Sequence, residues 1–550
     1  MSSELLRHPP TDLPDSALPP DLPQPPEAPE SSGQVMHFTP PPRLQWPALS
    51  LRRAPGLLQG IVDGQPYVHN PWGYDALALL SSRALRLLQR ADGRPAAAIM
   101  AELAGEDIGE QRNLYGELPM LWANGFVVTP GVQPRRPTGK SQRVFNTWLH
   151  LTNACNLACP YCYIHKDAHH MAVDVAQRVL ETIETTAKSG QVDRIHTRFA
   201  GGEPMLQFAA MQSFFAEATR RCQAHGVQFS AAVLTNGTVI PKGSTEWLKQ
   251  HGVSVSVSID GIGELQDVMR PVVGGGSSYA RLQKGLQAYL QAGIRPYILI
   301  TVGDSNLDGL PELTQWLLDQ DLGFRYSLVR DLEWGAGVLD DRRGAADAPV
   351  PEASAASMPS SELPEDTGLL QGEPLRRVQR VLGQCYDRIE AHVRQRAGKK
   401  SKNAARFRQT HRFCDLELWR PISKACGAGT SYLAIGDNGQ TSPCQAALHR
   451  EGTVAIDPTV SLADQAQTNG QLGSFARELG NPECNRCRHK PSCAGGCPLL
   501  LYRREGHIDG RSPYCEVFRA VIPRIVRIAA LELAQQRPAA IHRPLTQPTV

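Results

Sequence analysis

The chain has 550 residues, of which 41% are hydrophobic and 20% are charged, so most of its length can fold around buried cores. Its 57 Lys and Arg residues stand against 54 Asp and Glu residues, a net charge of +3, which argues against a nucleic-acid-binding protein. The sequence has no run of about 18 apolar residues, so we expect no membrane-spanning helix and no membrane partner.

The N-terminal segment, residues 1–50, contains 13 prolines and no apolar periodicity, so it is predicted to be a disordered tail. It lacks the apolar stretch of a signal peptide, which predicts a cytoplasmic protein. Because that compartment keeps thiols reduced, the 13 cysteines are expected to bind metal or act in redox chemistry rather than form disulfides.

Residues 55–135 are predicted to form a small domain of their own. A strand-like stretch over 60–70 is followed by a predicted helix over 75–91, then by two further helices and a closing strand. The leucines that suggest the first helix are Leu77, Leu79, Leu80, Leu85, Leu87 and Leu88. This order fits two interpretations, a helical scaffold that packs on the main domain or a winged helix that binds a peptide.

Between residues 144 and 332 the sequence alternates six strands with five helices. The predicted strands lie at 146–152, 194–202, 228–237, 253–261, 295–302 and 324–331. Such alternation predicts an α/β fold with a parallel sheet, here an open, partial (β/α)6 barrel. Chemistry in such folds lies at the C-terminal ends of the strands. The following segment, 335–374, is rich in Ala, Ser, Pro and acidic residues and is predicted to be a flexible insertion or linker.

Three cysteines, Cys155, Cys159 and Cys162, come directly after the first of these strands. Three thiolates within eight residues can surround one metal centre, one ligand fewer than a closed zinc site or a saturated cluster needs. An iron–sulfur cubane held in this way keeps one iron open to a further ligand. The residues also allow a zinc site completed by a histidine, for which the candidates are His165, His169 and His170.

A CxxxCxxC loop after the first strand of an α/β barrel resembles the radical S-adenosylmethionine (SAM) family, and further motifs of that family follow over 145–330. The sequence Gly201-Gly202-Glu203-Pro204 matches the family's GGEP loop, which holds the methionyl amino group of SAM. Glycine lets the backbone approach a ligand closely, and Glu203 offers negative charge to the ammonium group.

The same resemblance implies further SAM contacts. Tyr161 matches the residue beside the adenine, Ser258 a residue on the SAM carboxylate or ribose, and Arg270 an arginine that meets the carboxylate, while Asn236 ends the third strand beside the cofactor. In this family a reduced 4Fe–4S cluster gives an electron to SAM. The resulting 5′-deoxyadenosyl radical takes a hydrogen atom from the substrate, and the protein binds, orients and shields.

A second group of cysteines occupies the C-terminal part of the chain, predicted as a further domain over 375–535 with a C-terminal helix. Its members are Cys414, Cys426, Cys444, Cys484, Cys487, Cys493, Cys497 and Cys515. Eight thiolates fit two four-ligand sites, and the residues alone allow two zinc sites as readily as two iron–sulfur cubanes.

The spacing of the last seven cysteines resembles the SPASM signature of radical SAM enzymes that modify peptides and proteins. The resemblance assigns Cys426, Cys444 and Cys497 to auxiliary cluster I, with Cys414 as its fourth ligand. It assigns four others to auxiliary cluster II, namely Cys484, Cys487, Cys493 and Cys515. Together with the first motif, this implies SAM and three 4Fe–4S clusters as cofactors.

The residue after Cys444 bears on the substrate. Anaerobic sulfatase-maturing enzymes carry an aspartate there that serves as a base, whereas this chain has Gln445, whose amide accepts no proton at neutral pH. The departure favours the peptide cyclases, which form C–C or C–S cross-links in ribosomally made precursor peptides. Many of these carry a winged helix, the RiPP recognition element, that binds the precursor's leader as an added β-strand, and residues 55–135 resemble it in order and placement.

The sequence thus predicts a radical SAM/SPASM peptide maturase with a precursor peptide and a reduced ferredoxin- or flavodoxin-type electron donor as partners. A sulfatase-maturing type of protein modification is one alternative. A zinc-stapled scaffold that binds peptides without catalysis is the alternative from another class.

Overall fold

The computed structural model describes residues 46–73, 75–130, 142–330, 372–396, 411–448, 453–468, 481–505 and 507–536. Most of the predicted tail and linker therefore lies outside the described residues. Within them, no helix combines the length and apolar character that a membrane crossing needs.

The N-terminal unit, residues 46–130, contains two three-stranded antiparallel sheets and three helices. Its strands are β1 (Ser50–Arg53), β2 (Leu58–Val62), β3 (Gln65–His69), β4 (Leu77–Leu79), β5 (Asp92–Pro95) and β6 (Val127–Val128). Its helices are α1 (Ser82–Arg90), α2 (Ala96–Ala104) and α3 (Ile108–Ala123). One sheet has the order β5-β1-β6 and the other β2-β3-β4.

Two sequence predictions for this unit are wrong. The tail does not extend to residue 50, because Trp46 and Leu49 are buried in the core between the helices. The first helix begins at Ser82 rather than at 75, and Leu77–Leu79 is a strand that pairs with β3. Ala76 to Leu80 is a run of five apolar residues, which fits a buried strand as well as a helix.

The sheet β2-β3-β4 connects two hydrophobic cores. Val68 and Leu80 belong to the core of the N-terminal unit, whereas Tyr67, Leu77 and Leu79 belong to the main core of the protein. The N-terminal unit is therefore packed against the main domain over one face of this sheet, and it is not a separately tethered module.

The main sheet has ten strands in the order β13-β12-β11-β10-β9-β8-β7-β14-β15-β16. Its parallel part is formed by β7 (Val144–Thr152), β8 (Arg194–Gly201), β9 (Gln228–Thr235), β10 (Ser254–Ser258), β11 (Tyr297–Val302), β12 (Phe324–Leu328) and β13 (His411–Phe413). The six predicted strands are all present and parallel, and β13 extends them at one edge.

Helices follow these strands as predicted. They are α4 (Val173–Lys188), α5 (Phe208–Gln223), α6 (Ser244–Gln250), α7 (Glu264–Met269), α8 (Ser278–Gln291) and α9 (Leu310–Asp319). The short helix α7 is an addition to the five expected.

Within its described residues, the C-terminal region adds three antiparallel strands and six α-helices. The strands are β14 (Tyr432–Ile435), β15 (Gln440–Ser442) and β16 (Val454–Ala455), and β14 pairs in parallel with β7. The helices are α10 (Gly372–Gln395), α11 (Leu462–Thr468), α12 (Pro482–Asn485), α13 (Lys490–Cys493), α14 (Pro498–Glu505) and α15 (Cys515–Gln536). The cysteine-rich C-terminal region is thus joined to the parallel part of the main sheet by the hydrogen bonds between β14 and β7.

The parallel strands alternate between two kinds of side chain. One face bears fully buried apolar residues such as Phe199, Val233 and Ile300, which pack in the main core with the helices. The opposite face bears half-buried and mostly polar residues. We call this opposite face the inner face. The sheet curls around this inner face. Tyr161, which follows β7, donates a hydrogen bond to Asp260, which follows β10, although the two strands are three positions apart in the sheet.

Candidate active site and cysteine groups

The loop after β7 carries Cys155, Cys159 and Cys162, all half-buried. A loop that follows α7 fixes its shape, since Ala158 N donates to Pro271 O at 2.8 Å and the N–H of Val273 donates to the loop at 3.0 Å. Burial raises the pKa of Cys155 to about 11. This thiol is therefore protonated at neutral pH and must release its proton when it binds a metal centre.

The glycines of the GGEP loop lie against the cysteine loop. Gly202 N donates to Thr152 O at 2.6 Å, and Glu203 N donates to Ala154 O at 2.8 Å. A Cβ atom at Gly202 would lie 2.1 Å from Ala154 O, and one at Gly201 would lie 2.3 Å from Thr152 O. The sequence analysis assigns these glycines to close approach of a ligand, whereas the structure shows that the backbone of the cysteine loop already requires them.

Glu203 is fully buried beneath this loop. Its carboxylate accepts hydrogen bonds from Thr235 Oγ1 at 2.8 Å, Asn236 N at 2.8 Å and Met205 N at 3.0 Å. Burial raises the pKa of Glu203 to about 7, and these donors oppose the shift. The carboxylate therefore ties the second strand end to the third, and its contact with the SAM ammonium group stays a prediction.

The remaining GGEP and strand-end residues surround the same loop. Asn236 Nδ2 donates to Asn156 Oδ1 at 2.9 Å and lies 3.9 Å from Cys155 Sγ. Pro204 is buried at the start of a short 3-10 helix, and Ser258 ends β10 on the inner face. The structure thus brings the predicted SAM contacts on three strand ends to one place.

Asp260 connects the other two predicted SAM contacts, and the sequence analysis gives it no role. It is fully buried and accepts hydrogen bonds from Tyr161 Oη, from Arg270 Nε at 2.7 Å and from Thr301 N at 2.7 Å. The Arg270 guanidinium lies 5.5 Å from the ring centre of Tyr161 and 4.0 Å from Cys159 Sγ. Asp260 therefore holds the arginine and the tyrosine beside the cysteine loop.

We expect Asp260→Asn to weaken SAM binding at least about tenfold and to lower the free energy of unfolding by about 3 kcal/mol, because the buried Arg270 loses its charge partner. Equilibrium SAM binding and urea denaturation measure the two effects. Asp304→Asn is the matched control, since its ion pair with Arg377 is exposed and such pairs contribute about 0–1 kcal/mol. Equal behaviour of the two variants would contradict the positioning role of Asp260.

Three of the C-terminal cysteines lie around Arg330. The pKa of Arg330 is raised above its usual value by Cys497 first, then by Asp415, Cys444 and Cys414, against the effect of burial. Cys426 belongs to the same group, since it interacts with Cys497 and Cys444. The four cysteines predicted to ligate auxiliary cluster I are thus brought together.

The other four cysteines line one pocket. Cys484, Cys487, Cys493 and Cys515 border a partly open space of about 450 Å³. Cationic side chains stand at its border, namely Lys490, Arg511 and Arg519. The pocket contains the full predicted set for auxiliary cluster II.

The donor sets fit iron–sulfur clusters. Each set consists of cysteines, and among the described residues no three His, Cys, Asp or Glu side chains are gathered closely enough to hold one ion. Cysteine thiolates are the usual ligands of iron–sulfur cubanes, and zinc accepts the same ligands.

Two tyrosines lie between the first cysteine loop and the Cys444 group, and the sequence analysis missed both. Tyr163 follows Cys162 and packs against Cys444 and its hydrophobic neighbours. Tyr432 donates from Oη to Gln445 Oε1 at 2.6 Å. The pairing of β14 with β7 places Tyr432 here, and no local pattern in the sequence predicts that pairing.

Residues 149–317 match the family model described as the Radical SAM superfamily. These residues therefore form a radical SAM domain, as the cysteine motif predicts, and this domain is that of an enzyme.

Its relatives include maturases. The chain is 25% identical to the serine-type anaerobic sulfatase-maturating enzyme of Klebsiella aerogenes over 63% of its own length and 78% of that protein. It is 25% identical to the mycofactocin maturase MftC of Mycolicibacterium smegmatis over 67% of its length and 81% of that protein. The solved structure of native anSMEcpe with bound AdoMet and Cp18Cys peptide shares the fold, with a TM-score of 0.53 and 17% identity over 70% of this chain and 99% of that one.

Proposed function

We propose that the protein is a radical SAM/SPASM peptide maturase that oxidises a ribosomally made precursor peptide and forms an intrapeptide C–C or C–S cross-link. The observation that carries the proposal is the position of Tyr163, which adjoins Cys162 of the SAM-type loop and packs against Cys444 of the second cysteine group. Substrate bound between these groups would lie within reach of both cofactor sites.

The cluster held by Cys155, Cys159 and Cys162 would supply the electron for reductive cleavage of SAM. The chain's own residues bind and orient the cofactor. Asp260 fixes Arg270 and Tyr161 beside the loop, while the GGEP backbone holds the loop from the other side. Burial of these groups shields the reacting atoms from water.

The relatives support a peptide or protein substrate. Two are named as maturases, one of them of sulfatase, and a structure of the same fold contains a bound peptide. Gln445 separates this chain from an enzyme that needs a base at that position, because its amide oxygen accepts a hydrogen bond from Tyr432 and is not basic. This favours a cyclase over a sulfatase-type maturase.

The two C-terminal cysteine groups would hold auxiliary clusters that take up the electrons released by substrate oxidation. The pocket of Cys484 and its partners is partly open and bordered by Lys490, Arg511 and Arg519. Glu483 also lines the pocket, and Glu516 pairs with both arginines. The remaining excess of cations suits an acidic redox protein, so a ferredoxin- or flavodoxin-type protein is the proposed electron partner.

The N-terminal unit is the proposed reader of the leader peptide. It has its own hydrophobic core and two small sheets, each with edge strands that could accept an added strand. Its packing on the main core also makes it a scaffold, so the two interpretations of the sequence analysis are compatible.

We expect removal of residues 1–45 to leave the melting temperature and SAM cleavage unchanged, since their proline-rich sequence predicts a disordered tail and every described core residue lies at or after Trp46. Removal of residues 1–130 is expected to give insoluble protein. Val62, Tyr67, Leu77 and Leu79 would leave the main core, a loss of roughly 6–12 kcal/mol at about 1.5–3 kcal/mol each. Soluble, cluster-loaded protein from the longer truncation would contradict the shared core.

The proposed activity is tested with candidate precursor peptides, taken from any small reading frames that lie next to the gene. We expect the reconstituted enzyme, with SAM and dithionite, to lower the precursor mass by about two per cross-link as two hydrogen atoms leave. Mass spectrometry compares the full precursor, a leaderless core peptide and a sulfatase-derived peptide. Modification of the sulfatase peptide alone would replace the proposal with its sulfatase-type alternative.

A further inference from the structure

A guanidinium group on the inner face of the sheet has no carboxylate beside it. Arg198 lies in β8 with its side chain half-buried, and its NH1 donates to Asn146 Oδ1 at 3.0 Å. Among the described residues, its electrostatic neighbours are Tyr432 and Arg325, and none is a carboxylate. Burial, followed by the charge of Arg325, lowers the pKa of Arg198 below its usual value, which reflects a cation without an anionic partner.

A second arginine faces it from β12. Arg325 NH1 lies 3.7 Å from Asp415 Oδ1, and its buried Nε has no hydrogen-bond partner within the described part of the chain. Asp415 is shared, because Arg330 NH2 lies 3.0 Å from Oδ2. Arg325 and Arg330 therefore share one carboxylate, while Arg198 has none beside it among the described residues.

The charge at this place suits an anion. Arg198 is flanked in register by the small Ala232 on β9 and by Trp148 on β7. His196, the neighbouring inner residue of β8, adds no charge at neutral pH, because burial, together with the charges of Arg198 and Arg194, lowers its pKa to about 4. Unpaired buried cations are costly, so a ligand that supplies negative charge would bind here with a gain in stability.

We propose that Arg198, together with Asn146 and the free Nε of Arg325, binds a carboxylate group of the peptide substrate. A guanidinium and a carboxylate pair through two parallel hydrogen bonds, which fixes the substrate in one orientation. The source of the carboxylate is an Asp or Glu side chain or the C-terminus of the peptide. This inference rests on the proposed function and names the chemical group that the enzyme recognises.

The site is separate from the predicted position of the SAM carboxylate. Arg270 lies beside Cys159 and Asp260, whereas Arg198 has Tyr432 as its neighbour, and Tyr432 in turn adjoins Cys444. Arg198 therefore lies on the part of the inner face that is nearer to the second cysteine group. The substrate is proposed to bind in that region.

The first test uses a carboxylate without a peptide. Phenylglyoxal modifies accessible arginines, and we expect sodium acetate to slow the modification of Arg198 severalfold while acetamide does not. Digestion and mass spectrometry follow Arg198, with Arg194 of the same strand as the internal reference. Equal modification rates with acetate and acetamide would overturn the anion site.

The second test uses N-acetylated octapeptides retained by the reconstituted protein in anaerobic size-exclusion chromatography. Four sets combine a free-acid or amidated C-terminus with the presence or absence of Asp and Glu. We expect retention to require a carboxylate, and the set retained identifies its source. Arg198→Gln should lower retention by about tenfold or more, Arg198→Lys should retain part of it, and Arg194→Gln should behave like the unaltered protein, all with unchanged SAM affinity.

The outcomes separate the inference from the proposed function. Equal retention of peptides with and without carboxylates would overturn the inference and leave peptide binding intact. Loss of SAM affinity in Arg198→Gln would assign the arginine to SAM and would also overturn it. If no peptide is retained while acetate still protects Arg198, the proposed function fails and the carboxylate site stands.

Discussion

Replacing Cys155, Cys159 and Cys162 together with alanine is expected to abolish SAM cleavage and to remove about four of roughly twelve iron atoms per chain, four for each cubane. The three thiols lie on one loop after β7, and no other cysteine is placed there. The eight C-terminal cysteines form two separate groups, so their clusters should remain. Iron analysis and chromatographic measurement of 5′-deoxyadenosine give the two quantities.

Cys222→Ala is the matched control for this prediction. Cys222 is buried in α5 among the apolar residues of the main core and lies outside all three cysteine groups. It should keep the full iron content and SAM cleavage, with only a modest loss of stability. SAM cleavage that survives the triple replacement would show that the catalytic cluster has been placed on the wrong cysteines, and zinc in place of iron would favour the non-catalytic scaffold.

Gly202→Ala is expected to have the second largest effect. The added Cβ would lie 2.1 Å from Ala154 O and 2.6 Å from Asn153 O, so the cysteine loop must move. Both contacts are with backbone, which cannot rotate away as a side chain can. Overpacking of this kind costs about 1–3 kcal/mol or more, and we expect at least about a tenfold loss of SAM affinity and incomplete loading of the first cluster.

Gly116→Ala tests whether this effect is local. Gly116 lies within α3, and a Cβ there meets no atom within 4 Å, so alanine should be neutral or stabilising. SAM affinity by equilibrium dialysis and iron content should therefore differ only for Gly202→Ala. Normal SAM binding by that variant would mean that the GGEP loop and the cysteine loop are not in contact as described.

The sequence predicts the radical SAM domain well because its signals are local. Each of the six strands is a short segment, often alternating between polar and apolar residues, that is followed by a helical period, and the cysteines have a fixed spacing within one loop. The assignment of Leu77–Leu79 to a helix is wrong, because this strand is buried between two cores and its apolar run has no single period. Trp46 belongs to the fold although proline-rich sequence precedes it, since its burial depends on helices far along the chain.

The site could be predicted only in part for the same reason. The spacing of the cysteines predicts which residues bind metal, and the structure adds which of them lie together. Asp260 and Arg198 have no local signature, because their partners Tyr161, Arg270 and Asn146 come from other strand ends and strands. The sequence analysis assigns Gly202 to close approach of a ligand, whereas the structure shows that the neighbouring backbone of the cysteine loop requires a glycine there.

The most direct test of the central claim is transfer of hydrogen from the peptide to the cofactor. The precursor is prepared with deuterium at its carbon-bound positions and incubated with the reconstituted enzyme, SAM and dithionite, and 5′-deoxyadenosine is analysed by mass spectrometry. A radical peptide maturase predicts one deuterium in 5′-deoxyadenosine, formed in step with the modified peptide. Unlabelled 5′-deoxyadenosine together with an unchanged peptide would contradict the account.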